Sequence, residues 1–98
     1  MKQVNAHEVS QLLGSGTSLN IIDVREVDEV TAGKIPGAVN IPFSLLEYRM
    51  HELDKSKEYM VVCRSGGRSG RACQFLESYG YKVTNMTGGM LAWDGEVE

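Results

Sequence analysis

Residues 59–69, "YMVVCRSGGRS", form the stretch that predicts the fold most clearly. The run that ends at Cys63 is short and apolar, has β-branched residues at its centre and is typical of a buried strand. Two adjacent glycines follow, and beyond Ser69 apolar residues recur at helical spacing. We therefore predict a strand over 59–63, a tight loop, and a helix over 69–79.

Strands and helices alternate through the rest of the chain. Strands are predicted over 2–4, 19–24, 38–41 and 82–86, and helices over 6–13, over 26–32, from residue 44 and as a turn over 90–93. This alternation predicts an α/β fold with a mainly parallel central sheet of about five strands and helices on both faces. Ligands of such sheets bind beyond the carboxyl ends of the strands, where the loop after Cys63 begins.

The bulk composition limits the class of protein. A chain of 98 residues that is 42% hydrophobic and 23% charged predicts one globular domain over 1–98. No apolar run reaches the roughly 20 residues that span a bilayer, so no membrane association is expected. The first residues lack the apolar core of a signal peptide, and we expect a cytoplasmic monomer.

Charge and cysteine content narrow the expected partners further. A net charge of −3 argues against nucleic acid as a partner. Two cysteines and two histidines without metal-ligand spacing predict no metal site. Two cysteines are also too few for a disulfide framework, so reduced thiols are expected.

The loop after Cys63 has the features of an anion site. Successive backbone N–H groups in a glycine-rich loop point inward, and the first turn of a helix adds unpaired N–H groups and a partial positive charge. Arg64, Arg68 and Arg71 follow Cys63 closely, and no acidic residue lies within 59–76. These features favour a Cys63 thiolate that attracts an anionic substrate.

Packing is the alternative for each cysteine. A cysteine at the end of a buried strand is ordinarily a core residue, but the loop, the arginines and the helix start favour a reactive Cys63. Cys73 is predicted inside the following helix, next to Ala72 and Phe75, where packing is the favoured interpretation. A resolving role for Cys73 toward Cys63 stays open.

Three segments resemble a known family. "CRSGGRS" (63–69) is similar to the six-residue active-site loop of single-domain rhodanese-like sulfurtransferases. "IIDVREVDEVTAGKIPGAVNIP" (21–42) resembles the upstream segment of that family, and "TGGMLAW" (87–93) resembles its closing turn. The order and spacing match over nearly the whole chain. Lys34 stands where the family usually has histidine, at a position that we interpret as a tolerant surface turn.

The resemblance implies a rhodanese-like three-layer fold and a sulfurtransferase. The Cys63 thiolate would take sulfur from a small anionic donor such as thiosulfate, form a persulfide, and pass the sulfur to cyanide or a thiol. No metal or organic cofactor is implied. Asp23, Arg25 and Glu29 are expected to form a structural network rather than to act in catalysis. The residues implied to bind the donor are Arg64, Ser65, Gly66, Gly67, Arg68 and Ser69.

Two other functions fit the same loop. Phosphatases with a Cys-x5-Arg loop share the architecture, but Cys63 to Arg68 is Cys-x4-Arg, and the shorter ring suits one extra sulfur better than a phosphoryl group. Related scaffolds also reduce arsenate. A sulfur-carrier module would use the same thiolate to relay sulfur between partner proteins, with little turnover alone.

Overall fold

A computed structural model describes residues 1–98 and contains one five-stranded sheet with the order β1-β5-β4-β2-β3. Every neighbouring pair of strands is parallel. The strands are β1 (Lys2–Asn5), β2 (Asn20–Asp23), β3 (Val39–Asn40), β4 (Glu58–Val62) and β5 (Lys82–Thr87). The α-helices are α1 (Ala6–Gly14), α2 (Val27–Thr31), α3 (Leu46–Arg49) and α4 (Gly67–Ser78), and 3-10 turns span Phe43–Leu45, Met50–Glu52 and Gly89–Ala92. The predicted α/β fold is confirmed.

Helices cover both faces of the sheet because side chains alternate along its buried strands. Ile22 and Val61 pack in one core with apolar residues of α4, and Ile21 and Val62 pack in a second core with apolar residues of α1. The result is the predicted three-layer arrangement. None of the helices combines the length and the apolar character that crossing a membrane requires.

The helix predicted from Ser44 differs from the observed structure. That segment is a 3-10 turn, one turn of α3 and another 3-10 turn. The Phe43 N–H donates to the carbonyl of Val24 over 3.0 Å, which attaches the start of the segment to the end of β2. The chain then follows the core in single tight turns, as short 3-10 pieces commonly do.

The central position of β4 determines where the site forms. Its neighbours are β2, where Asp23 is in register with Val62, and β5, where Asn85 is in register with Val61. Cys63 is the first residue beyond β4. Because all of these strands are parallel, their carboxyl ends lie at the same edge of the sheet as Cys63.

A buried ion pair connects the end of β2 to α2. The carboxylate of Asp23 is 0% exposed and accepts from Nη2 of Arg25 over 2.8 Å and from its Nε over 3.0 Å. Arg25 also donates to the backbone carbonyls of Glu29 and Gly33. Asp23 and Arg25 form the predicted structural network, but the Glu29 carboxylate is not part of it and pairs with Arg68.

Lys34 contacts the C-terminal segment. Its Nζ donates to the backbone carbonyl of Ala38 over 3.0 Å and to Oε1 of Glu98 over 2.5 Å. Backbone hydrogen bonds between Lys34 and Glu98 run in both directions. The lysine therefore has a structural role in the turn, and none of these contacts involves the loop after Cys63.

Candidate active site

The loop after β4 curls around the sulfur of Cys63. The Gly66 N–H donates to Cys63 Sγ over 3.0 Å. Gly66 has a φ of 104°, a left-handed conformation that residues with a Cβ resist, and it forms the N-cap of α4. Because this turn is so tight, α4 begins at Gly67 rather than at the predicted Ser69, and its N-terminus lies closer to the sulfur.

Hydrogen bonds offset the burial of Cys63. Burial is the largest influence and raises the pKa of the thiol, but hydrogen bonds with Ser69 and with the amides of Gly66 and Ser65 together hold it below its ordinary value. A hydrogen bond to a charged acceptor such as a thiolate contributes more stabilising free energy than one to a neutral acceptor. Several such hydrogen bonds together can therefore outweigh the cost of desolvation. The loop therefore favours the thiolate, in the direction that the sequence predicts.

Ser69 connects the loop to β5 through Asn85, a residue that sequence reasoning missed. The Ser69 hydroxyl lies 3.3 Å from Cys63 Sγ and donates to Asn85 Oδ1 over 2.5 Å. Asn85 Nδ2 in turn donates to the Gly66 carbonyl over 3.3 Å. An asparagine within the predicted strand over 82–86, where a buried polar side chain needs a partner, was the signal that could have identified it.

Arg68 is paired with Glu29 rather than pointing freely at the loop. Its Nη1 and Nη2 donate to the two carboxylate oxygens of Glu29 over 2.6 and 2.8 Å. The guanidinium has five N–H donors, so its remaining donors are still able to contact an anion. Arg64 is exposed and has no ion-pair partner, which makes it the unneutralised cation of the loop.

The Glu29–Arg68 pair predicts a specific acid sensitivity. The hydrogen bonds from Arg68 hold the pKa of Glu29 at about 2 instead of about 4.5. Because the folded state favours the ionised carboxylate, the ion pair stabilises the fold fully above about pH 4.5. This stabilisation disappears as the pH falls from about 4.5 to about 2. In urea titrations at several pH values, we expect the stability difference between wild type and Glu29→Gln to shrink across that interval.

Glu47→Gln is the matched control for this measurement, because Glu47 is exposed and has no ion pair. Its stability difference from wild type should stay nearly constant across the same pH interval. A Glu29→Gln difference that is equally constant would show that the ion pair does not stabilise the folded state.

The Gly88-Gly89 turn closes against the back of the loop. The Met90 N–H donates to the carbonyl of Cys63 over 2.9 Å, and the Leu91 N–H donates to the carbonyl of Arg64 over 3.0 Å. A Cβ on Gly89 would overlap the backbone of Arg64 and Cys63. This close approach explains why the segment resembling the closing turn of the family needs glycine.

Cys73 lies in the core below the site. It is 0% exposed and packs with the apolar residues of the α4 face of the sheet. Burial, with a smaller contribution from the charge of Glu77, raises the pKa of the Cys73 thiol to about 12. A thiol that stays protonated is a poor nucleophile, which favours the packing interpretation over a resolving role.

The predicted site residues lie in two layers. Arg64, Ser65 and Gly67 are exposed, and Gly66 and Arg68 are half-buried, so this upper layer is accessible to a donor. Cys63 and Ser69 are 0% exposed. The Ser69 hydroxyl faces the sulfur and Asn85, and the donor contact expected of it stays a prediction.

Comparison with known proteins gives one consistent family. The sequence model of the rhodanese-like domain family matches residues 5–96 of this chain. The chain is 41% identical over 98 residues to YtwF of Bacillus subtilis, a proposed sulfurtransferase, covering 100% of this chain and 95% of YtwF. It is also 38% identical over 97 residues to YrkF of the same organism, a proposed sulfur carrier protein, covering 98% of this chain and 52% of YrkF.

A solved structure shows the same fold. The crystal structure of a rhodanese-like domain protein from Staphylococcus aureus superposes with a TM-score of 0.93 and 33% sequence identity. The match covers 100% of this chain and 97% of that protein. The similarity therefore extends over the whole chain and includes the loop after β4.

Proposed function

Because this chain belongs to the rhodanese-like domain family, we propose that Cys63 carries sulfur as a persulfide from an anionic donor such as thiosulfate to a cyanide or thiol acceptor. Transfer of sulfur in general follows from the family and from its sulfurtransferase relatives. The observation that supports the persulfide is the Gly66 N–H directed at Cys63 Sγ at the N-terminus of α4.

The proposed reaction has two balanced displacement steps. The Cys63 thiolate attacks the outer sulfur of thiosulfate; an S–S bond forms to Sγ, and the bond to the central sulfur breaks as sulfite leaves with the electron pair. Cyanide, or a thiolate, then attacks the outer sulfur of the persulfide and releases the Cys63 thiolate. The enzyme alternates between two covalent states, which predicts ping-pong kinetics.

The loop supports each step through fixed donors. In the first step the exposed guanidinium of Arg64 attracts and orients the oxyanion end of the donor. In the persulfide, the negative charge moves to the outer sulfur, which is bonded to Sγ and lies within the ring of loop amides. Donors that are already oriented stabilise this charge without reorganisation.

The burial of the nucleophile limits the class of donor. Cys63 is 0% exposed, so the donor has to present its sulfur as a projecting terminal atom at the mouth of the loop. Thiosulfate and persulfides have such a terminal sulfur, whereas the sulfurs of an ordinary disulfide carry carbon substituents. A sulfane-sulfur donor therefore fits the site best.

One observation favours a sulfur-carrier module as the second candidate. Leu91 is 65% exposed, and its N–H is bonded to the carbonyl of Arg64 in the loop. An apolar side chain beside the loop suits docking of a protein partner better than binding of a small anion. The similarity to YrkF points in the same direction.

Intact mass spectrometry tests the persulfide. After brief exposure to thiosulfate, we expect the protein to gain the mass of one sulfur atom, and cyanide should remove it. Cys63→Ser should gain nothing, because its oxygen cannot form the persulfide. A wild-type protein that stays unmodified at saturating thiosulfate would exclude thiosulfate as the donor, and a protein persulfide should then be tested.

Steady-state kinetics separates the enzyme from the carrier. A thiosulfate:cyanide rate that depends on Cys63 and shows ping-pong behaviour supports the enzyme. A protein that accepts sulfur only from another protein's persulfide, with no steady-state rate, supports the carrier.

A further inference from the structure

The Ser69 hydroxyl lies between two groups that compete for its single hydrogen. Its oxygen is 2.5 Å from Asn85 Oδ1 and 3.3 Å from Cys63 Sγ. All three residues are at least 95% buried, so no solvent donor replaces a missing one. The hydroxyl has one hydrogen and two lone pairs, so it donates to only one of its two neighbours at a time.

The partners of Asn85 determine which way its amide faces. The Gly66 carbonyl is only an acceptor, so the Asn85 atom that faces it at 3.3 Å is the nitrogen. The amide oxygen then faces Ser69. Rotating the amide would bring two carbonyl oxygens together at Gly66, so the loop itself keeps the Asn85 acceptor directed at the hydroxyl.

We propose that Asn85 is a positioning residue for sulfur transfer: it accepts the hydroxyl hydrogen of Ser69 and thereby directs the Ser69 oxygen lone pair at Cys63 Sγ. This inference rests on the proposed persulfide function. A lone pair accepts the hydrogen of a protonated thiol, and it is repelled less by the nearly neutral bridging sulfur of the persulfide than by a thiolate. A free thiolate instead needs a donor, and Ser69 supplies one only by leaving Asn85 Oδ1 buried without its hydrogen bond. The Ser69–Asn85 contact therefore disfavours the unloaded thiolate relative to the persulfide, whereas the loop amides favour the thiolate.

Other titratable groups surround Cys63 and have to stay unchanged in a test. Arg68 and Cys73 lie on α4, Glu29 of α2 is paired with Arg68, and Asp23 at the end of β2 is paired with Arg25. None of them contacts the Asn85 side chain. A substitution at Asn85 therefore acts on Cys63 through Ser69 or through the loop backbone.

The test is the pH dependence of the rate at which iodoacetamide alkylates Cys63. Asn85→Leu keeps the approximate size and removes the acceptor, so the Ser69 hydrogen becomes free to donate to the thiolate. We expect the apparent pKa of Cys63 to fall by about 0.5–1 unit, the effect of one hydrogen bond of ordinary strength. Asn85→Ala removes the same acceptor without a bulky side chain, should shift the pKa in the same direction, and is used if the leucine variant does not fold.

Ser69→Ala provides the control that distinguishes positioning from general loosening of the loop. In the Ser69→Ala background there is no hydroxyl to redirect, so Asn85→Leu should leave the Cys63 pKa unchanged. A pKa that rises in the single variant, or that shifts equally in both backgrounds, would overturn the role assigned to Asn85. If wild-type Cys63 titrates normally and gains no sulfur, the proposed function fails. If wild-type Cys63 gains sulfur but its pKa is the same in the Asn85 variants, the function stands and this inference fails.

Discussion

Cys63→Ser is expected to reduce sulfur transfer by at least about 1,000-fold, to the background of the uncatalysed reaction. Serine retains the size and the hydrogen bonds of the loop, but its oxygen is not ionised near neutral pH and cannot hold the outer sulfur as a persulfide. The rate is measured as thiocyanate formed from thiosulfate and cyanide, and folding is checked by the urea midpoint.

Cys73→Ser is the matched control for this experiment. It removes the second buried thiol, whose high pKa keeps it protonated, and we expect it to retain most of the rate. Because the new hydroxyl would lie in an apolar core, the variant should lose some stability, and Cys73→Ala separates that loss from any effect on the rate. Equal loss of activity in the Cys63 and Cys73 variants would instead indicate a relay between the two thiols.

Asp23→Ala is expected to destabilise the fold by about 3–5 kcal/mol. The substitution leaves the guanidinium of Arg25, a residue only 6% exposed in the folded protein, without a carboxylate. Arg25 also holds the carbonyls of Glu29 and Gly33, so the loss should extend from β2 into α2. Urea unfolding at neutral pH gives the free energy directly from the midpoint and slope.

Two further variants make this result specific to the buried charge. Glu52→Ala breaks the solvent-exposed Arg49–Glu52 pair, and its expected cost is much smaller because water screens the two charges. Combining Asp23→Leu with Arg25→Met removes both charges, and this double variant should be more stable than Asp23→Ala. A loss in Asp23→Ala no larger than that in Glu52→Ala would mean that water reaches Arg25 in the folded protein.

Local sequence patterns were sufficient for the α/β architecture and for the place of the site. The apolar run up to Cys63 and the two glycines after it depend only on neighbours along the chain, and the strand, turn and helix follow from that pattern. The helix boundary was two residues late because the left-handed φ of Gly66 tightens the loop. The same pattern distinguished Cys63 at the strand end from Cys73 within the helix.

Long-range side-chain partners could not be predicted in this way. Arg68 meets Glu29 across 39 positions, and Ser69 meets Asn85 across 16. Such contacts depend on the register of neighbouring strands and on the direction of each side chain, neither of which is encoded in local periodicity. A backbone turn forms from short-range sterics, whereas a buried polar group takes whichever partner the packed sheet places within reach, and only folding specifies that partner.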